Sequence, residues 1–217
     1  MIELRITGTR EELLAVIVAA FPAWTNVERR VRALVGPPHK KEVWVEQAAA
    51  IAMLAAQYND AGSNVLEIGA NLGFTAGIMK IAAPHAKVTT LEPDKLRRRS
   101  VRQNIGRIGV SVRPETSTAY LELTADSDVR YDLIFVDGDH KHIRADLPWW
   151  NRLAVGGLFL HHDYSPPESS RPCPPVYEAL SEFAAKMGRE PDVLVVDDSS
   201  TGLWGMYRRE GEAWGAA

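Results

Sequence analysis

The stretch Asn64-Val65-Leu66-Glu67-Ile68-Gly69-Ala70-Asn71-Leu72-Gly73-Phe74-Thr75 decides the fold. Its apolar first half predicts a buried strand, and the glycine-bounded turn that follows leads into a helical pattern. A strand that feeds a tight turn at the start of a helix is how open α/β sheets build nucleotide sites. Gly69 and Gly73 allow the backbone to bend and to approach a ligand without a Cβ clash. The stretch therefore predicts a nucleotide-type site at the end of the first strand of an α/β sheet.

Glu67 narrows the class of ligand that this turn can accept. It precedes the first glycine by two residues, where a carboxylate would repel a pyrophosphate and attract a cationic group. The Gly-x-Gly-x-x-Gly pattern of dinucleotide sites is also missing from the stretch. Both observations speak against a nicotinamide-dependent oxidoreductase, which stays open as the weakest alternative.

Length and composition set the broad class of protein. The 217 residues are enough for an α/β domain with a full core, and 46% hydrophobic with 24% charged residues is typical of globular proteins. A net charge of −3 provides no general attraction to nucleic acids or anionic membranes. A single cysteine, Cys173, excludes an internal disulfide, and no apolar run reaches membrane-spanning length. We expect a cytosolic protein with no membrane partner.

Two divisions of the chain are predicted, an N-terminal helical cap over residues 1–41 and the ligand-binding domain over residues 42–217. In the first, Thr9 and Glu12 fit a capping box at the start of a helix. The second opens on an alanine-rich helical pattern from Glu42 to Tyr58. The rest of the cap is predicted as a short strand over 1–8 and a connector over 22–41.

Strand patterns and helical patterns alternate after the opening stretch. The further strands are predicted at residues 87–91, 111–113, 131–136, 158–160, 193–196 and 203–207, with a helix from about 140 to 153. The short link over 197–202 suggests a hairpin, so the last strand should run antiparallel. The prediction is an α/β fold with a doubly wound, seven-stranded, mostly parallel sheet.

Polar residues follow the predicted strands at the edge where such sheets bind ligands. Glu92 ends the second strand, 19 residues after Gly73, and a carboxylate there can accept hydrogen bonds from both hydroxyls of a ribose. Thr116 and Ser117 follow the third strand. Two roles stay open for this pair, contact with an adenine edge and capping of the next helix.

The pattern Glu67-x-Gly69-x-x-x-Gly73, followed by Glu92 and by a fourth strand that ends in Asp137, resembles the class I S-adenosylmethionine-dependent methyltransferases over residues 42–208. The resemblance implies the strand order 3-2-1-4-5-7-6 and S-adenosylmethionine as cofactor. The cofactor-binding residues that we expect are Glu67, Gly69, Asn71, Gly73, Glu92, Thr116, Ser117 and Asp137. Asn71 stands where many members have a glycine, although Asn tolerates a positive φ better than most residues.

A metal site is predicted at the neighbouring ends of the fourth and fifth strands. Asp137 and Asp139 lie at one end, and His162 and Asp163 lie at the other, so these side chains can converge on one ion. The chain is similar here to the cation-dependent small-molecule O-methyltransferases. That resemblance implies Asp137, His162 and Asp163 as ligands of Mg²⁺ or another divalent cation. His162 is a departure, since those enzymes usually have Asp at its position. Two interpretations therefore stay open, a metal site and a metal-free pocket that Asp163 and Tyr164 shape.

His140 and Asp139 are the candidate catalytic residues. Methyl transfer to a hydroxyl requires an aligned nucleophile and a group that removes its proton. His140 lies three residues after Asp137, where the resembling enzymes often have a lysine base, and an imidazole can serve at neutral pH. Asp139 is the competing candidate.

The predicted function is S-adenosylmethionine-dependent O-methylation of a small molecule, and both a cation-assisted and a cation-independent reaction stay open. A nucleic acid acceptor is not expected, and transfer to adenine N6 of DNA is disfavoured in particular, because no Asn/Asp-Pro-Pro-Tyr/Phe run follows the fourth strand. An RNA or a protein-sized acceptor stays open. The main alternative is a non-catalytic module that binds the cofactor and acts through partners. For residues 1–41, two arrangements stay open: a cover over the acceptor, or packing on a second copy in a homodimer.

Overall fold

The computed structural model describes residues 1–37, 39, 43–197 and 201–215. The strands are β1 (Leu4–Gly8), β2 (Asn64–Ile68), β3 (Lys87–Leu91), β4 (Ser111–Arg113), β5 (Tyr131–Val136), β6 (Leu153–Tyr164), β7 (Val193–Asp197) and β8 (Gly202–Tyr207). The α-helices are α1 (Arg10–Ala20), α2 (Trp24–Val35), α3 (Val45–Ala55), α4 (Phe74–Ala82), α5 (Lys95–Ile105), α6 (Ser117–Leu123) and α7 (Pro174–Met187). Short 3₁₀ helices cover Ala56–Tyr58, Gly106–Ile108, His140–Ala145 and Leu147–Arg152.

All eight strands belong to one mixed sheet with the order β1-β7-β8-β6-β5-β2-β3-β4. Strand β8 runs antiparallel to both of its neighbours, and every other pair is parallel. Counted from β2, this is the predicted order 3-2-1-4-5-7-6 with a reversed last strand. The predicted doubly wound fold class is therefore confirmed.

The predicted count of seven strands is wrong, because the N-terminal residues add an eighth. Strand β1 pairs in parallel with β7, from Leu4 opposite Val193 to Gly8 opposite Asp197. The pattern of residues 1–8 is too short to predict this pairing, which joins segments about 190 residues apart. The predicted domain division at residue 41 is not tested by this pairing and stays a prediction.

The predicted connector over residues 22–41 is also wrong in part, because it contains α2. Trp24, Val27 and Val31 recur at helical spacing along α2 and are buried against the core. Arg29 and Arg30, between Val27 and Val31, obscure this stripe in the sequence. Once α2 packs on α4, the stripe is removed from water and stabilises the helix.

Two 3₁₀ helices replace the single helix that was predicted after β5. The backbone leaves helical geometry at His142, and Pro148 at the start of the second 3₁₀ helix has no N–H to donate. Trp149 and Trp150 are both fully buried. An amphipathic α-helix buries only one face, so it does not readily bury two consecutive side chains. The tighter 3₁₀ helix accommodates both.

The sheet separates two hydrophobic clusters. Alternate residues of β5 show this: Leu133 and Phe135 face the cluster that includes α3 and α4, whereas Ile134 and Val136 face the cluster that includes α7. Glu42 and the residues Asp198, Ser199 and Ser200 of the predicted hairpin link lie outside the described residues. Within the described part of the chain, we find no helix whose length and apolar character would let it cross a membrane.

Candidate active site and cofactor pocket

The register of the central strands places the residues that follow them side by side. Ile68 of β2 lies opposite Val136 of β5, and Val136 lies opposite His161 of β6. The next residues along these three strands are Gly69, Asp137 and His162. The carboxyl edge of the sheet therefore brings together residues that are far apart in the sequence.

The loop between β2 and α4 has the backbone geometry that its glycines predict. Gly69 and Gly73 have φ values of 98° and 87°, and Asn71 adopts a left-handed φ of 49°. A Cβ atom on Gly69 would lie 2.3 Å from the carbonyl oxygen of Asp137. The departure at Asn71 is thus compatible with the turn, and Gly69 permits direct backbone contact between the loops after β2 and β5.

Glu92 is fixed beside this loop. Its two carboxylate oxygens accept hydrogen bonds from the backbone N–H groups of Asn71 (2.9 Å) and Asp94 (3.0 Å). The side chain is buried, yet it lines a cavity of about 280 Å³ together with Gly69, Asn71 and Asp137. Each oxygen keeps a further lone pair, which is the arrangement needed to accept two ribose hydroxyls.

A second cavity of about 390 Å³ adjoins the first and shares Gly69, Gly138 and Asp139 with it. Thr116 and Ser117 line this second cavity. Thr116 also caps α6 through the N–H of Ala119, and Ser117 accepts a hydrogen bond from the indole N–H of Trp149 at 2.8 Å. The capping role is therefore confirmed for Thr116, and contact of the pair with an adenine edge stays a prediction.

Glu67 and Gly73 occupy different positions from the other cofactor candidates. The described residues that line the two cavities do not include either of them. A Cβ on Gly73 would meet Ile105 of α5 instead. Glu67 is fully buried, its carboxyl accepts a hydrogen bond from the Thr90 hydroxyl, and burial raises its pKa to about 8. Glu67 therefore cannot contact a ligand in these cavities directly. Any electrostatic effect on a cationic ligand would act through the loop between β2 and α4.

Replacement of Glu67 by Gln should change how stability depends on pH. The pKa of Glu67 is raised to about 8 from 4.5, so between these pH values the folded protein holds a proton that the unfolded chain releases. Stability therefore falls as pH rises through this window, by up to about 1.4 kcal/mol per pH unit. Urea unfolding from pH 5 to 8 should show a shallower decline for Glu67→Gln than for the wild type. If stability fell equally with pH in both proteins, the raised pKa of Glu67 would be contradicted.

Four side chains from the loops after β5 and β6 form one polar cluster, which we call the Asp137 cluster: Asp137, His140, His162 and Asp163. His162 Nδ1 lies 3.2 Å from Asp137 Oδ1 and 3.2 Å from Asp163 Oδ2. His140 Nε2 lies 2.7 Å from Asp163 Oδ2 and 3.7 Å from Asp137 Oδ1. Among the described residues, His140 Nε2 has no partner with hydrogen-bond geometry, so these contacts are ion pairs that meet around a common point.

The cluster can hold a cation. Donor atoms of Asp137, His140 and Asp163 all lie within 4.8 Å of one another, and His162 Nδ1 touches both carboxylates. The predicted ligands Asp137, His162 and Asp163 are thus brought together, and His140 joins them. Asp163 adopts a left-handed φ of 57°, a strained conformation that aims its carboxylate at the cluster.

Charge is balanced within the Asp137 cluster. The carboxylates of Asp137 and Asp163 raise the pKa of His140 to about 10. Burial lowers the pKa of His162, but the same carboxylates outweigh it and raise this pKa to about 10. Burial would raise the pKa of both carboxyls, but the imidazoles hold them below their usual range. Without a bound cation, two imidazolium groups therefore neutralise two carboxylates.

Asp139 lies outside this cluster. Its carboxylate pairs with His142 Nδ1 at 2.9 Å and caps the following 3₁₀ helix through the N–H of Lys141. His161 also lies elsewhere, buried among Phe159 and Trp204, because successive residues of β6 point to opposite faces of the sheet. Of the two predicted catalytic residues, only His140 belongs to the Asp137 cluster.

Gln47 belongs to the site but was not predicted from the sequence. It lies in the first turn of α3 and is buried, and its Oε1 is 2.8 Å from His162 Nε2. Trp44 directly precedes α3. The Cζ atom of Arg10 lies 3.6 Å from a ring centroid of Trp44, and the Cζ atom of Arg171 lies 5.7 Å from one. A glutamine in an alanine-rich helix has no distinguishing pattern, so only the tertiary structure reveals this contact.

The fold and one part of the sequence match known proteins. Residues 66–164 match the model of a family described as a methyltransferase domain, whereas none of the curated protein sequences matches the chain. The solved structures that resemble it include an O-methyltransferase from Bacillus cereus in complex with SAH, at 18% identity and a TM-score of 0.61. That match covers 92% of this chain and 100% of the other.

Two further structures show the same likeness over 92% of this chain. A putative O-methyltransferase from Klebsiella pneumoniae has 20% identity and a TM-score of 0.59, with 99% of its chain covered. The O-methyltransferase TomG from Streptomyces achromogenes, in complex with SAM, has 14% identity and a TM-score of 0.59, with 98% covered. At such identities the likeness establishes the fold. Within this fold, residues 66–164 are similar to a methyltransferase domain, and this stretch includes the strand ends that form the site.

Proposed function

We propose that this protein transfers the methyl group of S-adenosylmethionine to an oxygen of a small molecule, with a divalent cation held by Asp137, His162 and Asp163. The observation that carries the proposal is the Asp137 cluster, which lies directly beside the cavity lined by Glu92. The resembling structures named as O-methyltransferases support an oxygen acceptor. The same names also support a small-molecule acceptor. The cytosolic location and the homodimer stay predictions.

The cofactor would occupy the two adjoining cavities. Glu92 would accept the ribose hydroxyls, and Thr116 and Ser117 would border the adenine. S-adenosylmethionine supplies a methyl group on a positively charged sulfur, and its transfer needs no acid to assist the leaving group. The backbone at Gly69 and Asn71 allows the close approach that this placement requires.

The donor set of the cluster fits a divalent cation. Two carboxylates with imidazole nitrogen suit Mn²⁺, Fe²⁺ or Zn²⁺ as well as Mg²⁺. Such a cation, when bound, would lower the pKa of an acceptor hydroxyl in contact with it. The ligands must be deprotonated, so His162 would release its Nδ1 proton on binding.

His140 is the residue that we propose as proton acceptor. In the cation-free protein its imidazole is protonated, because Asp137 and Asp163 stabilise the positive charge. A cation between the carboxylates would neutralise their negative charge and so lower the pKa of His140. The imidazole would then lose its proton and could accept one from the acceptor hydroxyl. Asp139 is a weaker candidate, because its carboxylate is engaged by His142.

Calorimetry and mass spectrometry test the proposal together. We expect S-adenosylhomocysteine to bind and NAD⁺ not to bind. A set of hydroxylated small molecules incubated with S-adenosylmethionine and Mn²⁺ or Mg²⁺ should yield a product heavier by one methylene group. A chelator should remove this product without displacing S-adenosylhomocysteine. Binding of NAD⁺ alone would overturn the proposal, and turnover that survives chelation would remove the cation from it.

The Glu92→Ala variant should bind S-adenosylhomocysteine about 100-fold more weakly. Two charge-assisted hydrogen bonds to the ribose would be lost, each worth about 1.5 kcal/mol or more. Glu122→Ala, at an exposed position of α6, is the matched control and should bind as the wild type does. Equal affinity of the two variants would show that Glu92 does not contact the cofactor.

A further inference from the structure

Gln47 makes three hydrogen bonds that together determine how its amide is oriented. Its Oε1 lies 3.2 Å from the backbone nitrogen of Trp44 and 2.8 Å from His162 Nε2, and its Nε2 donates to the carbonyl of Thr201. The Trp44 N–H can only donate, and the Thr201 carbonyl can only accept. If the amide were flipped, its NH₂ group would face the Trp44 N–H, with two donors opposed. Its oxygen would then face the Thr201 carbonyl, with two acceptors opposed. The oxygen must therefore face His162.

The orientation of this amide decides which nitrogen of His162 carries a hydrogen. Because Oε1 accepts, His162 Nε2 must be the donor in every state that keeps this contact. In the neutral imidazole the other nitrogen, Nδ1, then has the free lone pair. Nδ1 is the atom that lies 3.2 Å from both Asp137 Oδ1 and Asp163 Oδ2.

We propose that Gln47 is a positioning residue that presents the Nδ1 lone pair of His162 to a metal ion bound between Asp137 and Asp163. The inference rests on the cation site of the proposed function and adds a residue from a different part of the chain. Metal-bound histidines commonly donate their second N–H to a neighbouring acceptor, which fixes the ring and makes it a stronger ligand. Gln47 is buried on α3, a helix whose residues from Glu46 to Ala55 are all buried, so the acceptor is held rigidly.

The arrangement also favours one kind of ion. An imidazole lone pair held between two carboxylates binds Mn²⁺, Co²⁺ or Zn²⁺ better than Mg²⁺, which prefers oxygen ligands. We therefore expect the site to select a transition metal ion, and removal of the Gln47 acceptor should reduce that selectivity.

The test measures ion binding and the ligating nitrogen directly. Calorimetry with Zn²⁺ and with Mg²⁺ would be applied to the wild type, Gln47→Met and Gln47→Glu. We expect Gln47→Met to raise the Kd for Zn²⁺ by about 10- to 100-fold. Gln47→Glu keeps an acceptor oxygen for His162 and should restore binding. Gln57→Met is the matched control, because Gln57 follows the same helix but bonds Ile2 and Tyr207.

Nitrogen-15 NMR of the Zn²⁺-loaded wild type supplies a readout that a purely structural role of Gln47 would not move. We expect the shift of a metal-bound nitrogen at His162 Nδ1 and a protonated Nε2. Ligation through Nε2, equal Zn²⁺ affinity of Gln47→Met and the wild type, or no ion binding by the wild type would each overturn the inference. The spectrum of the wild type decides the matter even where Gln47→Met does not fold. Zn²⁺ bound at Nδ1 in a protein that transfers no methyl group would support this inference and overturn the proposed function.

Discussion

The Asp137→Asn variant should lose methyl transfer by roughly 10³-fold, which corresponds to about 4 kcal/mol of transition-state stabilisation. Asn is close to Asp in shape, and the backbone N–H of residue 137 can still donate to Ile68, so the sheet edge should stay intact. What the substitution removes is one of the two negative charges of the Asp137 cluster. Two imidazoles would then face Asp163 alone, and the site would attract a cation only weakly.

Steady-state kinetics and calorimetry measure this effect. We expect kcat to fall with divalent cation affinity, while the affinity for S-adenosylhomocysteine changes by less than about threefold, because Glu92 would hold the ribose separately. Asp126→Asn, at an exposed position after α6, is the matched control and should retain full activity. Turnover of Asp137→Asn within a few-fold of the wild type would show that this carboxylate does not take part in the reaction.

The Gly69→Ala variant should be destabilised by about 2–5 kcal/mol and should lose cofactor binding. Gly69 has a φ of 98°, which costs an L-residue about 1–2 kcal/mol. Its new Cβ would also lie 2.3 Å from the Asp137 carbonyl oxygen and 2.9 Å from the Cα of Gly138. Since both contacts are backbone atoms, they can be relieved only by separating the loops after β2 and β5, at about 1–3 kcal/mol more.

Urea unfolding and calorimetry with S-adenosylhomocysteine test this prediction. Gly106→Ala is the matched control, because Gly106 has an ordinary helical φ of −59° and no atom lies within 4 Å of a Cβ built there. That substitution should leave stability unchanged or raise it by up to about 1 kcal/mol. A Gly69→Ala protein with wild-type stability would mean that the two loops do not contact each other as described.

Local patterns allowed the central part of the sheet to be predicted. Runs of apolar residues with helical patterns between them indicate a doubly wound sheet, since each parallel pair needs a crossover helix. Residues at the ends of these runs then fall at one edge of the sheet, which is why Glu92, Asp137 and Asp163 could be proposed before the structure was known. Side-chain alternation similarly separates His161 from His162, although it does not say which of the two faces the site.

Features that depend on distant partners could not be predicted. A short strand was predicted over residues 1–8, but its pairing with β7 was not, and neither was the packing of α2 on α4. The pairing of Asp139 with His142, which removes it from the Asp137 cluster, follows from 3₁₀ geometry that no periodicity in the sequence indicates.

The sequence by itself determined the fold class and the strand ends at which chemistry can occur, because spacing along the chain controls backbone hydrogen bonding and the alternation of side chains. Only the tertiary structure decided which side chains meet. It placed His140 with Asp137 and Asp163, buried Glu67 beneath the loop, and brought Gln47 to His162 across 115 positions of the chain. Contacts of this kind depend on how helices pack against the sheet, and that packing is set by the whole core rather than by any one segment.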